Sequence, residues 1–296
     1  DEQRTAPKRY AIAFASPGIA KEWGINPLEL GIVLSMEMIG MAIGSLTLGS
    51  VADRFGRRPT MLACLAVMGT AMLLATTAAS PLQLAVWRVL TGCGIGGMLS
   101  SINAMVAEVS NNRWRGLCLS LMVIGNPLGG GIGGLYASSL IANYDWRAVF
   151  YLGAAAAAVL LPVTYWLVPE SVPWLLRRQP ASALARVNRS LKSLAHQPLT
   201  ALPPAPPETR RPPIAALFSP AFRTTALLVA GAFIAHFLSF YYLLKWAPKI
   251  AADLGFADSA GGRILTMANF GGAAGGLLFG ALSSLAAIKQ TPTRIG

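Results

Sequence analysis

Two charged residues that fall inside apolar runs are the first candidates for chemistry. Glu37, in SMEMIGMAIG, is the one carboxylate set well inside any such run. Arg88 opens the glycine-rich stretch RVLTGCGIGG, several residues into another. An ionised side chain in hydrocarbon is costly, so each must find a partner, line a cavity or, for Glu37, carry a proton. That makes Glu37 a candidate proton site, with a neutral or interfacial glutamate as the alternative. Arg88 is a candidate anchor for an anionic substrate or a group that tunes a proton carrier. The bland alternative is a structural pair with Glu37. Gly92 and Gly96 add a GxxxG step for close helix packing.

A third stretch, HFLSFYYLLKWAP (His236–Pro248), combines rings with cations. Tyr241, Tyr242 and Trp246 could stack on a ring, and Lys245 and His236 could meet a carboxylate. An interfacial aromatic belt with a snorkelling lysine is the competing reading. The fourth is GSVADRFGRRP, Gly49–Pro59, a charged turn between two apolar runs. Asp53 suits the positive end of the helix that follows. Arg57 and Arg58 can pair with Glu108 or bond nearby carbonyls, Gly56 allows the turn, and Gly49 allows a close approach. A basic loop that serves only topology would look similar.

Other chemistries lack support. Cys64, Cys93 and Cys118 fall in apolar runs without CxxC or histidine spacing, so they read as buried small hydrophobes, and no metal site or cofactor is expected. There is no GxxxxGK[ST], HExxH or GxSxG pattern. No cleavable signal layout is visible at the start.

The elements that must position these residues follow from hydropathy. The 296 residues are 54% hydrophobic and 12% charged, against roughly 25% charged in soluble domains. The charges are too few to coat a soluble protein, and they sit in loops. Seven runs reach the ~20 residues that a span needs: Leu28–Val51, Thr60–Ala79, Leu82–Val106, Gly116–Ile141, Ala148–Val168, Thr224–Trp246 and Arg263–Ile288. The apolar piece Tyr10–Ala20 is too short to span and reads as the outer end of a further helix. The expected fold is therefore an all-α polytopic membrane protein.

The net charge of +12 is concentrated in alternate loops: Asp53–Arg58, then Arg113 and Arg115, then Ser171–Ala221 with Arg177, Arg178, Arg186, Arg189, Lys192, Arg210 and Arg211. That skew encodes orientation, with these loops cytoplasmic, and argues against nucleic acid as a partner. Within Ser171–Ala221, ALPPAPPETRRPP (Ala201–Pro213) reads as a flexible linker. Ala181–Leu194 shows helical spacing and reads as a surface helix along the membrane. The chain divides accordingly into a bundle over 1–170, a linker over 171–221 and a partial second bundle over 222–296.

The order of Gly49, Ala52, Asp53, Arg54, Gly56, Arg57 and Arg58 resembles the loop signature of the major facilitator superfamily. That resemblance implies a six-helix N-terminal bundle plus the first two helices of a second, with the chain read as a fragment. It also implies a conformational lock of Gly49, Asp53, Arg54, Gly56, Arg57, Arg58 and Glu108 that closes the cytoplasmic side. GNPLGGGIGG (Gly125–Gly134) is similar to a motif of proton-coupled antiporters, although ordinary close packing is the better reading of it. PESVPWLLRR (Pro169–Arg178) resembles a signature of sugar and organic-acid porters.

Together with SPGIAKEWG, WRAVF and YYLLKWAPK, these features resemble the aromatic acid:proton symporters. The resemblance implies a monomer in a bacterial inner membrane that imports benzoate-type carboxylates with protons. It places substrate at Arg88, Tyr241, Tyr242, Lys245 and His236, and proton coupling at Glu37. The acidic DGxD pair of that family would fall at Thr5 and Lys8, where it is absent. A sugar or polyol porter, a proton-coupled drug exporter and a non-functional fragment are the alternatives.

Overall fold

The structure is a computed structural model that describes residue 19 and residues 22–111, 114–193, 197–204, 219–220, 222–253 and 258–289. Within its helices the side chains at 27, 137–139, 141–143, 193, 243–253, 258–263, 265, 279 and 283–289 lie outside the description. The short run Tyr10–Ala20 therefore falls outside it except for Ile19, as do most of Ala201–Pro213 and the side chains of Lys245 and Trp246.

All regular structure among the described residues is helical. The long helices are α1 (Pro27–Phe55), α2 (Arg57–Thr76), α3 (Pro81–Val109), α4 (Arg115–Asn143) and α5 (Arg147–Leu167). Two short ones follow, α6 (Val172–Arg178) and α7 (Ala183–Ser193), then α8 (Arg223–Asp253) and α9 (Asp258–Lys289). Among the described residues six helices are long and apolar enough to cross a membrane, namely α1 to α5 and α8. The seventh expected run lies within α9.

Local chemistry sets the ends. Asn26 accepts from the Glu29 amide at 2.9 Å while Glu29 accepts from the Asn26 amide at 3.0 Å, a reciprocal capping box ahead of Pro27. Ser80 caps α3 and Ser171 caps α6, each before a proline in the first turn. Inside the spans, hydroxyls turn back on their own helix. Ser35 donates to the Gly31 carbonyl, Thr47 to Ile43, Thr70 to Ala66 and Thr91 to Trp87, at 2.7–2.9 Å. No water is needed for them in hydrocarbon.

α3 is the centre of the bundle. It packs most extensively on α1 and also on α2, which in turn packs on α5. Its glycines explain why. A methyl at Gly92 or Gly96 would overlap the backbone of α1 at Glu37 and Met41, and a methyl at Gly94 or Gly97 would strike Met68 or Leu48 and Cys64. The fit is reciprocal, because a methyl at Gly40 or Gly44 would overlap the Val89 or Cys93 carbonyl. Small residues at matching levels let two backbones touch, where lipid supplies no hydrophobic drive to associate. The outward faces carry large apolar groups such as Leu46, Leu82, Trp166 and Leu167, all more than 70% exposed. Such a surface requires a lipid environment.

The helix Ala183–Ser193 differs from its expected placement along the membrane. Its apolar side, Ala183 and Val187, is buried against Leu175, with Val172, Trp174 and Leu191 around it. That face is thus spent on α6 and is not available for dipping into lipid. Asn188 exchanges two hydrogen bonds with the backbone of Leu199, and Gln179 donates to the Pro203 carbonyl, so the start of the proline-rich segment folds back onto this hairpin.

Candidate functional site

Arg88 and Glu37 meet. The guanidinium donates to the Glu37 carboxylate from a position that leaves the Arg88 side chain 4% and that of Glu37 21% exposed. The contact follows from the backbone. Gly92 lets the α1 main chain at Glu37 lie against α3, and Arg88 sits one helical turn before Gly92. Two costly charges in a low-dielectric interior are thereby paired instead of isolated. Two residues from two runs, 51 positions apart in sequence, are thereby brought together; Tyr241 on α8 is half-buried.

The other substrate candidates do not join them on the same terms. His236 is exposed and stacks on Phe240 with ring centroids 6.1 Å apart. Tyr242 is 57% exposed. Lys245 lies outside the described side chains.

At one end of the bundle the charged turn is tighter than a loop. Asp53 and Arg54 remain on α1, Arg57 and Arg58 begin α2, and only Gly56 separates the helices, at φ 111°. That φ favours glycine, and a methyl there would lie 2.5 Å from a Glu170 oxygen. Arg57 grips one Glu108 oxygen through Nε at 3.1 Å and Nη2 at 2.7 Å, and lies 3.7 Å from Asp53. Arg58 turns away from Glu108. It donates to the Tyr165 carbonyl and lies over that residue's ring at 4.9 Å. Arg54 lies over the ring of its neighbour Phe55.

Asp53 sits in the last turn of α1, close to the start of α2, as the sequence suggested. The carboxylate on the α2 amides is Glu170, which accepts from Arg57 N at 2.9 Å, Arg58 N at 3.2 Å and Ser171 N at 2.9 Å while only 8% exposed. Because Gly56 offers no side chain, this distant glutamate acts as the helix cap. Ser171 adds a 2.5 Å bond from its hydroxyl to the second Glu108 oxygen. Gly49, expected at a close approach, would place a methyl an ordinary 3.6 Å from Ser100. The close approaches are at Gly40 and Gly44, which a search for GxxxG steps in SMEMIGMAIGS would have found.

The opposite end holds a network that sequence reasoning missed. Glu22 accepts from Trp146 Nε1 at 2.6 Å and from both Arg147 Nη atoms at 3.0 and 2.8 Å. Arg147 also donates to the Thr76 carbonyl at 3.1 Å and to Asp145 at 2.7 Å. The hydrogen bonds from Arg147 hold the Glu22 carboxyl below its usual range, with the Trp146 bond assisting and burial opposing.

The glycine run Gly125–Gly134 faces α9. A methyl at Gly130 or Gly131 would meet Asn269 at 3.3–3.7 Å, and Gly272, Gly276 and Gly280 lie against Pro127, Ile124 and Ser120. Gly125, Gly129 and Gly133 have open space. The motif is here a one-sided packing seam.

Comparison with known proteins agrees with this architecture. The chain is 30% identical over 285 residues to a gallate transporter of Pseudomonas putida, covering 96% of this chain and 63% of that protein. It is 28% identical to a 3-(3-hydroxy-phenyl)propionate transporter of Escherichia coli K12, over 92% of this chain and 60% of the relative, and 28% identical to the 4-hydroxybenzoate transporter PcaK of P. putida, over 88% and 59%. The chain thus spans about three-fifths of the length of these relatives, all of them named as transporters and none as an enzyme.

Among solved structures it is similar to the xylose transporter XylE from E. coli in a partially occluded inward-open form, with a TM-score of 0.61 at 16% identity over 96% of this chain and 69% of that one. It is also similar to the human organic anion transporter MFSD10, with a TM-score of 0.54 at 19% identity over 90% and 61%. At such identities the likeness speaks for the fold. The Major Facilitator Superfamily model matches residues 8–295. With that match over nearly the whole chain and six span-length helices among the described residues, the protein is a multi-pass integral membrane protein and a member of the major facilitator superfamily.

Proposed function

We propose that the protein is a secondary transporter that imports aromatic carboxylates with protons across a bacterial cytoplasmic membrane, working as a monomer. The observation that carries this reading is the Arg88–Glu37 pair set inside the bundle, with the Arg88 side chain 4% exposed. Relatives named for gallate, 4-hydroxybenzoate and hydroxyphenylpropionate point to the same substrate class.

The chemistry is simple. An incoming carboxylate is held by Arg88, assisted by Lys245 and His236, and its ring lies against Tyr241 and Tyr242. Glu37, relieved of its partner, is a poor place for a bare charge and takes the accompanying proton. Binding shifts the balance between outward- and inward-open states by as much as the ligand prefers one of them.

The proposal extends to the lock. Gly49, Asp53, Arg54, Gly56, Arg57, Arg58 and Glu108 close the cytoplasmic side, with Glu170 and Ser171 added as supports. Residues 1–170 and 222–296 belong to two bundles joined by the linker 171–221. The decisive experiment measures uptake of a radiolabelled aromatic acid by the protein in proteoliposomes, with and without a protonophore. Accumulation that the protonophore abolishes, and that Arg88→Ala removes, is the expected result. Uptake indifferent to the proton gradient would overturn the symport assignment.

A further inference from the structure

Five cations stand on the α6–α7 hairpin with no anion beside them. From Ser171 to Pro207 the chain holds Arg177, Arg178, Arg186, Arg189 and Lys192, and no Asp or Glu. All five residues are exposed. Among the described residues none of the five is in an ion pair, whereas Arg57, Arg88 and Arg147 each are. Arg177 and Arg178 lie in the last turn of α6. On α7 the other three recur at every third residue, which makes them neighbours on the helix surface. The face that carries Ala183 and Val187 is buried against Leu175, so the cations are held on the outer side of a folded hairpin. Like charges at this spacing repel one another, and a negative partner relieves that repulsion.

The hairpin is rooted at the edge of the bilayer. Trp166 and Leu167 close α5 with highly exposed apolar side chains, a surface that needs lipid. Only residues 168–171 separate them from the start of α6, at most about 17 Å of chain. Those residues are drawn back toward the bundle. Glu170 accepts from the first amides of α2, and Ser171 donates to Glu108. From that root α6 runs for seven residues, about 10 Å, and α7 for eleven, about 16 Å, packed on α6. The headgroup layer is about 5–8 Å deep on each side of the hydrocarbon, and a charge acts across about 8 Å of physiological salt. The cations are therefore within reach of the headgroups.

We infer that the face formed by Arg177, Arg178, Arg186, Arg189 and Lys192 is a docking surface for the anionic phospholipid headgroups on this side of the membrane. The inference needs a protein that spans a bilayer and is independent of what it carries. Guanidinium groups hold phosphate oxygens through paired, charge-assisted hydrogen bonds, and four of the five cations are arginines. A nucleic acid offers the same phosphates from solution, but a leaflet presents them where the hairpin is rooted. The contact is electrostatic and not insertive, because the apolar side of α7 already lies against α6. Lipid bound there steadies the hairpin and, through Glu170 and Ser171, the start of α2.

Thermal unfolding of the protein in detergent micelles, doped with phosphatidylglycerol or with phosphatidylcholine, is the test. In low salt phosphatidylglycerol should raise the melting temperature more than phosphatidylcholine does. The difference should vanish at about 1 M salt, where screening acts within about 3 Å. The phosphatidylglycerol concentration that gives half the effect should rise about 5-fold for each cation removed in Arg186→Gln, Arg189→Gln and Lys192→Gln, made singly and together. Arg186→Lys with Arg189→Lys keeps the charge and should keep most of the response, and it is the readout should the glutamine triple variant fail to fold. Arg115→Gln removes an exposed cation at the same end of the bundle but outside the hairpin, and it should change the response little. Equal responses to the two lipids, a difference that survives high salt, or a loss in Arg115→Gln equal to that in Arg189→Gln would each overturn the inference. Stabilisation by a soluble polyanion such as heparin, with none by phosphatidylglycerol, would overturn it in favour of a partner in solution.

Discussion

Arg88 and Glu37 show how unequal the two halves of a buried pair become when one is removed. With the Arg88 side chain 4% exposed, deleting it strands a carboxylate in a poor dielectric. Arg88→Ala should lower stability by about 3–5 kcal/mol, whereas Arg88→Met combined with Glu37→Met should recover most of the loss, because an apolar pair needs no compensation. Thermal unfolding in detergent, read as a double-mutant cycle, measures both. Glu22 sits at the wet opposite end and behaves differently. Its folded carboxyl titrates below its ordinary value of 4.5, so the stabilisation from Arg147 and Trp146 is fully present above that value. It is lost as pH falls through the lowered one. Trp146 emission should change on acidification below pH 4.5, and Glu22→Gln should show no such transition.

Glycine pairing decides which helices touch at the level of elements. Gly40 and Gly92 have carbonyls of the opposing helix where a methyl would go, while Gly49 has only the Ser100 side chain at 3.6 Å. A backbone obstacle cannot rotate aside as a side chain can. Gly40→Ala and Gly92→Ala should therefore each cost about 1–3 kcal/mol through forced separation of α1 and α3. Gly49→Ala should be neutral or slightly stabilising, since alanine is the better helix former. Melting temperatures of the three variants test the contrast. The α6–α7 hairpin carries a related lesson. An amphipathic helix buries its apolar face against protein when a partner such as Leu175 is in reach, and only otherwise against lipid.

Across the whole molecule, α9 and α4 form the seam through which the later helices meet the earlier ones. A Cβ at Gly131 would lie 3.7 Å from that of Asn269, within the usual disulfide range of about 3.5–4.5 Å. In a protein with Cys64, Cys93 and Cys118 replaced, Gly131→Cys with Asn269→Cys should cross-link under mild oxidation. Should the seam shift during transport, that bond will stop uptake and a reductant will restore it. Failure to cross-link would show that this packing is not the populated one.

The amino-acid sequence alone determined the helices, the membrane and the superfamily. Hydropathy runs, caps such as Asn26 and Ser80, and the order of charges around Gly56 are properties of neighbouring residues, so they can be read without a fold. The meeting of Arg88 with Glu37 was legible only as one option among several, since two costly charges at similar depth each need a partner. Only the tertiary structure decided that Glu170, 113 residues from Arg57, caps α2, that Gly40 and Gly44 and not Gly49 admit a neighbour, and that Arg147 clasps Glu22. Each of these depends on how a helix is rotated and tilted against another, which is fixed by the sum of many weak contacts across the bundle and by no short stretch of residues.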